Sequence, residues 1–256
     1  MSGPEQESTS SAATPVRAIE RACALMSAFT LDEPSLTLGE LAARVELPKP
    51  TAYRIAVSLV QSGFMTQSED GRYGLGTRLM ELGAVVRDNL DLVQLCGPVM
   101  AALAAETGET VLLGQPDWGS DEIVVVARRD SAHALSILSP VGRRSPIGLG
   151  SLGQALLSGM APAERAAFAQ RLGPTRDAGG RRRSPAAFRR ELDEAATRGY
   201  ALVEGGYLEG VSGVAVPILS EGSRPLGTIG IVGPTTRLHD RLEQFGALLV
   251  RETAAL

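Results

Sequence analysis

Gly148-Leu-Gly-Ser-Leu-Gly153 comes nearest, in residue type and spacing, to a loop that could do chemistry. A nucleophile at Ser151 on such a turn would attack an acyl or amide carbon, which defines one function class, a small-molecule hydrolase. That reaction needs a base, and the two histidines, His133 and His239, are not placed by sequence to serve as one. A phosphate-binding loop would need a lysine that this segment lacks. Glycines where a loop enters a helix also let backbone N–H groups approach a small acceptor, and a helix N-terminus favours an anion. The same glycines would serve a tight strand-to-helix turn that needs them for packing, so pocket and packing turn both stand. Neither histidine has metal ligands at suitable spacing, and Cys23 and Cys96 are too few and too scattered for a disulfide framework or metal cluster. No cofactor or metal is expected.

The second chemistry is recognition of duplex DNA. Lys49 is the only lysine in the chain; every other basic side chain counted from the sequence is an arginine. It sits where a new helix starts, a place where the macrodipole disfavours a cation and Ser, Thr, Asp or Asn would cap better. A phosphate oxygen would compensate it. Lys49 and Thr51 are therefore candidates for phosphate contact, with Tyr53, Arg54 and Ser58 nearest the groove and Arg54 the candidate for a guanine edge. Tyr53 serves equally well as a core residue. Arg72, on a hairpin downstream, would approach the backbone or minor groove.

These residues need positioning elements, and Leu36–Phe64 supplies them. Leu38, Leu41, Ala42 and Val45 recur at helical spacing. Glu46, Leu47 and Pro48 then break the period, and Pro50 falls in the first turn of a second helix, where proline is tolerated. Tyr53, Val57, Val60 and Phe64 form its apolar stripe. Two short helices with so tight a joint read as a helix-turn-helix whose second helix enters the major groove. Asp70-Gly71 between two short strand-like runs adds a hairpin, hence a wing. Leu36–Leu38 is expected to pair with it. Val16, Ile19, Cys23 and Met26 predict an amphipathic backing helix that buries Cys23.

Beyond the wing, Leu75, Leu79, Leu82 and Val86 continue a helix to Asn89. Leu92, Leu95, Val99 and Leu103 form another stripe, with Gly97-Pro98 marking an end or kink. From Thr110 the texture changes. Strands are predicted near 111–115, 123–127, 134–138, 200–203, 211–219 and 226–232, and helices near 150–158, 162–171 and 184–198. A closing helix starts at about Thr236. The arginine-rich stretch 171–190 contains Gly173, Pro174, Gly179 and Gly180 and reads as a solvated loop. Strand hairpins with helices inserted predict an α+β domain, an antiparallel sheet covered by helices.

Arg17-Ala-Ile-Glu-Arg-Ala-Cys-Ala-Leu-Met, LTLGELAARVELPKPTAYRI and GRYGLGTRLMELG together resemble the DNA-binding half of IclR-type bacterial transcription regulators. VGRRSPIGLGSLGQALL, RGYALVEGGYLEGVSGVAVPI and PLGTIGIVGP follow in the order of that family's sensing half. The resemblance implies a winged helix-turn-helix followed by a GAF-like effector-binding domain. The expected division is a disordered tail at 1–14, a DNA-binding domain at 15–77, a linker helix at 78–97 and a sensor domain at 98–256. Carried over, the effector site would comprise Gly148, Leu149, Gly150, Ser151, Leu152, Glu204, Gly213, Gly230 and Val232. The family commonly has side chains where this chain has Gly148, Gly205, Gly206, Gly213 and Gly230. Their loss predicts a roomier, less polar pocket, for an effector larger or less polar than a small oxo-acid.

Composition fits such a regulator. The net charge is −4, and residues 15–90 hold eight basic and nine acidic side chains, so the DNA module is near neutral. Weak affinity for random DNA follows, and tight binding requires two copies on one site, a homodimer or dimer of dimers. No apolar run reaches the roughly 18 residues of a membrane span. The N-terminus has neither the basic start nor the apolar core of a signal peptide, and the expected compartment is the cytoplasm. The expected function is effector-modulated repression at an operator. The other classes considered are the Ser151 hydrolase and a ligand-independent DNA binder.

Overall fold

The computed structural model describes residues 16–30, 32–88, 90–137, 139–219 and 224–256. The predicted tail at 1–14 and Asn89 lie outside them. The chain divides into two compact units, residues 1–86 and 87–256.

In the first unit, α1 (Arg17–Ser27) precedes β1 (Ser35–Leu36), α2 (Leu38–Arg44), α3 (Lys49–Gln61), β2 (Met65–Gln67), β3 (Tyr73–Leu75) and α4 (Arg78–Asp88). The three short strands form one antiparallel sheet in the order β1-β3-β2. Thr37 starts α2 with a capping box. Its hydroxyl accepts the Glu40 N–H at 3.3 Å, and the Glu40 carboxylate accepts the Thr37 N–H at 2.7 Å. That backbone hydrogen bond and the Thr37 hydroxyl hold the Glu40 carboxyl below its ordinary range. Thr37→Ala should cost about 1 kcal/mol in a urea melt at neutral pH. The Glu40 contribution, present above the unfolded carboxyl pKa, should fade as pH falls through the lowered folded value, so the variant's deficit shrinks in acid.

The buried face of α3 differs from the predicted one. It carries Ala52, Ala56 and Leu59, whereas Tyr53 is 52% exposed. The stripe of larger residues is offset by one position because the small alanines let α3 approach its neighbours closely. Ala56 and Leu59 pack with Leu25, Leu36, Leu41, Met65 and Tyr73. The same offset corrects α1. Its buried side chain is Leu25, while Val16, Ile19 and Cys23 are exposed.

The second unit opens with α5 (Asp91–Thr107), which runs unbroken through Pro98. The expected end at Gly97-Pro98 does not occur. Pro98 and the Gln94 carbonyl it leaves without a donor are on the exposed side, while Leu92, Cys96, Met100 and Leu103 form a continuous buried face. This also moves the linker's end from 97 back to the start of α5, since Leu92 and Cys96 belong to the sensor core. Burial pushes the Cys96 thiol pKa up to about 11.

The remaining elements are β4 (Thr110–Asp117), β5 (Glu122–Arg129), β6 (Arg144–Pro146), α6 (Gly150–Ser158), α7 (Pro162–Leu172), β7 (Thr175–Arg176), β8 (Arg182–Arg183), α8 (Pro185–Arg198), β9 (Ala201–Glu204), β10 (Val211–Ile218), β11 (Gly227–Pro234), α9 (Thr235–Leu238) and α10 (Leu242–Thr253). Six strands form one antiparallel sheet, β6-β5-β4-β11-β10-β9. Alternate residues feed two cores. Val111 and Leu113 of β4 pack with α5 and α10, while Leu112 packs with α6, α7 and α8.

Three expectations fail here. No strand forms at 134–137, and Leu138 is outside the described residues. The edge of β5 is occupied instead by residues 142–146, where Val125 donates to the Arg143 carbonyl at 2.9 Å. The closing helix is interrupted by a 3-10 turn at His239–Arg241, although Leu238, Leu242, Phe245 and Leu249 share the buried side as predicted. The basic stretch 171–190 is not wholly a solvated loop. It contains the β7–β8 ribbon, and Arg183 is tied inward to Thr175, Glu191 and the Gly148 carbonyl. Among the described residues no single helix is long and apolar enough to cross a membrane.

Candidate DNA-binding face and ligand cavity

At about 100° per residue, the α3 face opposite Ala52, Ala56 and Leu59 presents Arg54 and Gln61, with Thr51 and Ser58 on one flank and Tyr53 on the other. Lys49, Tyr53, Arg54, Ser58 and Gln61 are exposed and Thr51 is half-buried. The outward face carries one cation, Arg54, a second, Lys49, stands exposed at the start of the helix, and α3 holds no acid. The Ser58 hydroxyl donates to the Arg54 carbonyl at 3.0 Å. The Lys49 chain passes over Gly39 at the start of α2. Thr51, Arg54 and Ser58 border a shallow groove against α1 that also includes Arg21, a cation that sequence reasoning missed. Gln61, which the sequence places with Arg54 and Ser58 away from the apolar stripe, is exposed beside Arg54.

Arg72 does not extend from the wing. Its guanidinium donates from Nε to the Ser35 hydroxyl at 3.1 Å and from Nη2 to the Ser35 carbonyl at 2.8 Å, with Glu40 at 3.6 Å. It ties the hairpin to β1 and the start of α2, which takes it from the front rank of DNA contacts.

In the second unit, a mainly apolar cavity of about 70 Å³ opens where α6 begins. Six predicted site residues line it: Leu149, Gly150, Ser151, Leu152, Gly213 and Val232. Three others do not. Gly148 faces Leu172, and its carbonyl accepts from Arg183. Gly230 is packed between Ala215 and Leu152. Glu204 borders a neighbouring polar cavity of about 210 Å³ and bonds His239 Nδ1 at 2.7 Å.

The roomier pocket expected from missing side chains is corrected by what fills their places. A Cβ at Gly213 would lie 2.6 Å from the Ser151 hydroxyl, one at Gly230 2.8 Å from the Ala215 Cβ, and one at Gly148 3.0 Å from Leu172. At these three positions, and at Gly206, where a Cβ would lie 2.3 Å from Val203, neighbours take up the volume, whereas nothing lies within 4 Å of a Cβ at Gly205. Sequence reasoning also missed Arg143, Ser139, Ser145, Tyr207 and Ser212 on the cavity wall. Neither His133 nor His239 lines it, so Ser151 has no histidine beside it in the cavity. His133 lies 3.7 Å from Glu109.

The family model described as "Bacterial transcriptional regulator IclR C-terminal" matches residues 84–255, and the "IclR helix-turn-helix domain" matches residues 18–69. The chain is 28% identical over 227 residues to the HTH-type transcriptional regulator KipR of Bacillus subtilis, covering 88% of this chain and 90% of that protein. It is 25% identical over 245 residues to the transcriptional repressor IclR of Escherichia coli, with 95% and 89% covered. Among solved structures it is similar to an IclR homolog complexed with 4-hydroxybenzoate from Microbacterium hydrocarbonoxydans. That match has a TM-score of 0.78 and 27% identity, and covers 93% of this chain and 96% of that one.

Proposed function

The chain belongs to the IclR family of bacterial transcriptional regulators and is a regulator rather than an enzyme; from that premise we propose that it represses transcription at an operator bound by α3, under control of a small molecule held in the α6 cavity. The observation that carries this reading is α3 itself, which holds Arg54 on its outward face and the exposed Lys49 at its start and carries no acid. Lys49 and Thr51 contact phosphates, while Arg54, with Tyr53 and Ser58 beside it, meets base edges. Arg72 acts chiefly by fixing the wing, and Arg21 adds a cation along the groove.

The working form is a homodimer, or a pair of them. The near-neutral DNA module favours it, as do the exposed apolar side chains Ile19 on α1 and Met80 and Val86 on α4. Two copies of α3 would then read half-sites separated by whole helical turns. Such a protein works in the cytoplasm, where its operator lies.

Regulators of this family bind DNA and effector ligands, and 4-hydroxybenzoate bound to the Microbacterium homolog supports a small-molecule effector here. Such a ligand changes operator affinity only by binding the DNA-competent dimer differently from its alternative. The segment α4, which runs from one unit to the next, is the transmitting element.

Arg54→Ala tests the reading by fluorescence anisotropy on the protein's own upstream region and on random duplex. Loss of a bidentate guanine contact predicts about 1–3 kcal/mol on the operator and much less on random DNA. Equal loss on both would reduce Arg54 to a backbone contact. No operator binding by the unmodified protein, with or without a metabolite library, would sink the regulator reading.

A further inference from the structure

Beside the apolar cavity lies the second, polar one of about 210 Å³, which shares with it only a wall at Leu149, Gly150, Val203 and Gly206. Gln154, one turn further along α6, lines the polar cavity alone. The residue is 6% exposed, and its side-chain amide has no hydrogen-bond partner among the described residues. The charged side chains around it are, by contrast, closed on other groups or open to solvent. Asp177 accepts from Arg181 Nε at 3.0 Å, Glu191 accepts from Arg183 at 2.9 Å, and Glu204 meets His239 Nδ1 at 2.7 Å. Arg198 donates from Nε to the Tyr200 carbonyl at 3.2 Å, and Glu194 is exposed.

A primary amide presents two donors and an acceptor, and burying them unmet costs the empty protein stability that an apolar side chain of the same shape would not. We propose that the polar cavity is a second ligand site, with Gln154 as its recognition residue, and that its ligand is a neutral polyhydroxylated molecule the size of a pentose or pentitol. Hydroxyls suit the place because each one both donates and accepts. They can meet the amide as well as the spare lone pairs and N–H groups of the ion pairs. A charged ligand finds no free counter-charge within. The four acids and three arginines of the wall nearly cancel, and drawing one member out of its pair strands the other. The size also fits: a cavity of about 150 Å³ accepts benzene, and this one, at about 210 Å³, has room for a five-carbon polyol. The site goes beyond the effector of the apolar cavity and does not depend on the repressor reading.

Calorimetry and thermal shift on the full chain, with ribose, arabinose, ribitol and arabitol set against the ions ribonate and arabinonate, test the assignment. At least one neutral pentose or pentitol should bind and stabilise the unmodified protein, ten-fold or more tightly than its matching aldonate. Gln154→Met, close to glutamine in shape but without the amide, should weaken that ligand at least ten-fold. Its ligand-free melting temperature should stay level or rise, because an unpaired buried amide has gone; a merely structural glutamine would lower it. Gln154→Leu serves as the second variant if the first does not fold. The assignment is overturned if no neutral polyol binds the unmodified protein, which would leave the cavity to water. It is equally overturned if the aldonates bind as well, if Gln154→Met keeps the affinity, or if that variant melts lower without ligand. Absence of operator binding would refute the regulator and leave a polyol result standing.

Discussion

Replacing Gly153 by alanine is expected to unseat α6 and with it the ligand cavity. An alanine Cβ there would sit 2.0 Å from the Ile147 carbonyl oxygen and 2.7 Å from its carbon. Both are backbone atoms of a buried segment, so no side-chain rotation relieves the clash. The helix must shift away from the strand end that feeds it, and Ser151, Leu152, Ala155 and Leu156 shift too. The cost should reach or exceed the roughly 3 kcal/mol at the top of ordinary overpacking. For a unit of this size that corresponds to a drop of about 6–12 °C in its melting transition. Any ligand that stabilises the unmodified protein should lose its effect in parallel. Gly83→Ala is the control. Nothing lies within 4 Å of a Cβ at that α4 position, so this change should stabilise the helix by about 0.5–1 kcal/mol. Calorimetry showing Gly153→Ala melting with the unmodified protein would contradict the close approach.

Arg237→Met is expected to be at least as damaging. Glu109, at the entrance to β4, is 0% exposed. Its carboxylate takes both Nε and Nη2 of Arg237, the latter at 2.7 Å, and the same guanidinium reaches the Leu135 carbonyl at 3.1 Å. Removing the arginine leaves a buried carboxylate with only His133 near, which predicts a loss of about 3–5 kcal/mol. The pair itself is a different quantity. Replacing both partners with methionine should cost less than Arg237→Met alone, because the uncompensated charge disappears with its partner. Chemical denaturation of the two single variants and the double variant measures this. A double variant no more stable than Arg237→Met would show that packing, not the stranded charge, sets the loss.

Much of the architecture was legible in the chain because it is local. Pro50 marks the first turn of α3, and Asp70-Gly71 marks the wing. The glycines at 150 and 159 bracket α6. Periodicity also separated the helical front from the strand-rich back and assigned most of the sheet. It failed where hydrophobicity was a poor guide to contact. The alanines of α3 carry little apolar signal yet form its buried face, and α1 buries Leu25 while the β-branched Val16 and Ile19 stay exposed.

The sequence by itself determined the order of the principal helices and of the long strands, the arginine on the outer face of α3 and the glycine-rich entry to α6, since each is set by residues within a few positions of one another. Only the tertiary structure decided that Arg143 lines the apolar cavity while Arg144 binds Asp117, Glu122 and Ser120 outside it, and that Arg72 is held by Ser35 and Glu40. It also decided that Leu172, Ser151 and Ala215 occupy the space beside Gly148, Gly213 and Gly230. Those outcomes depend on which distant segments meet, and a missing side chain creates volume only if no neighbour from elsewhere in the chain moves into it.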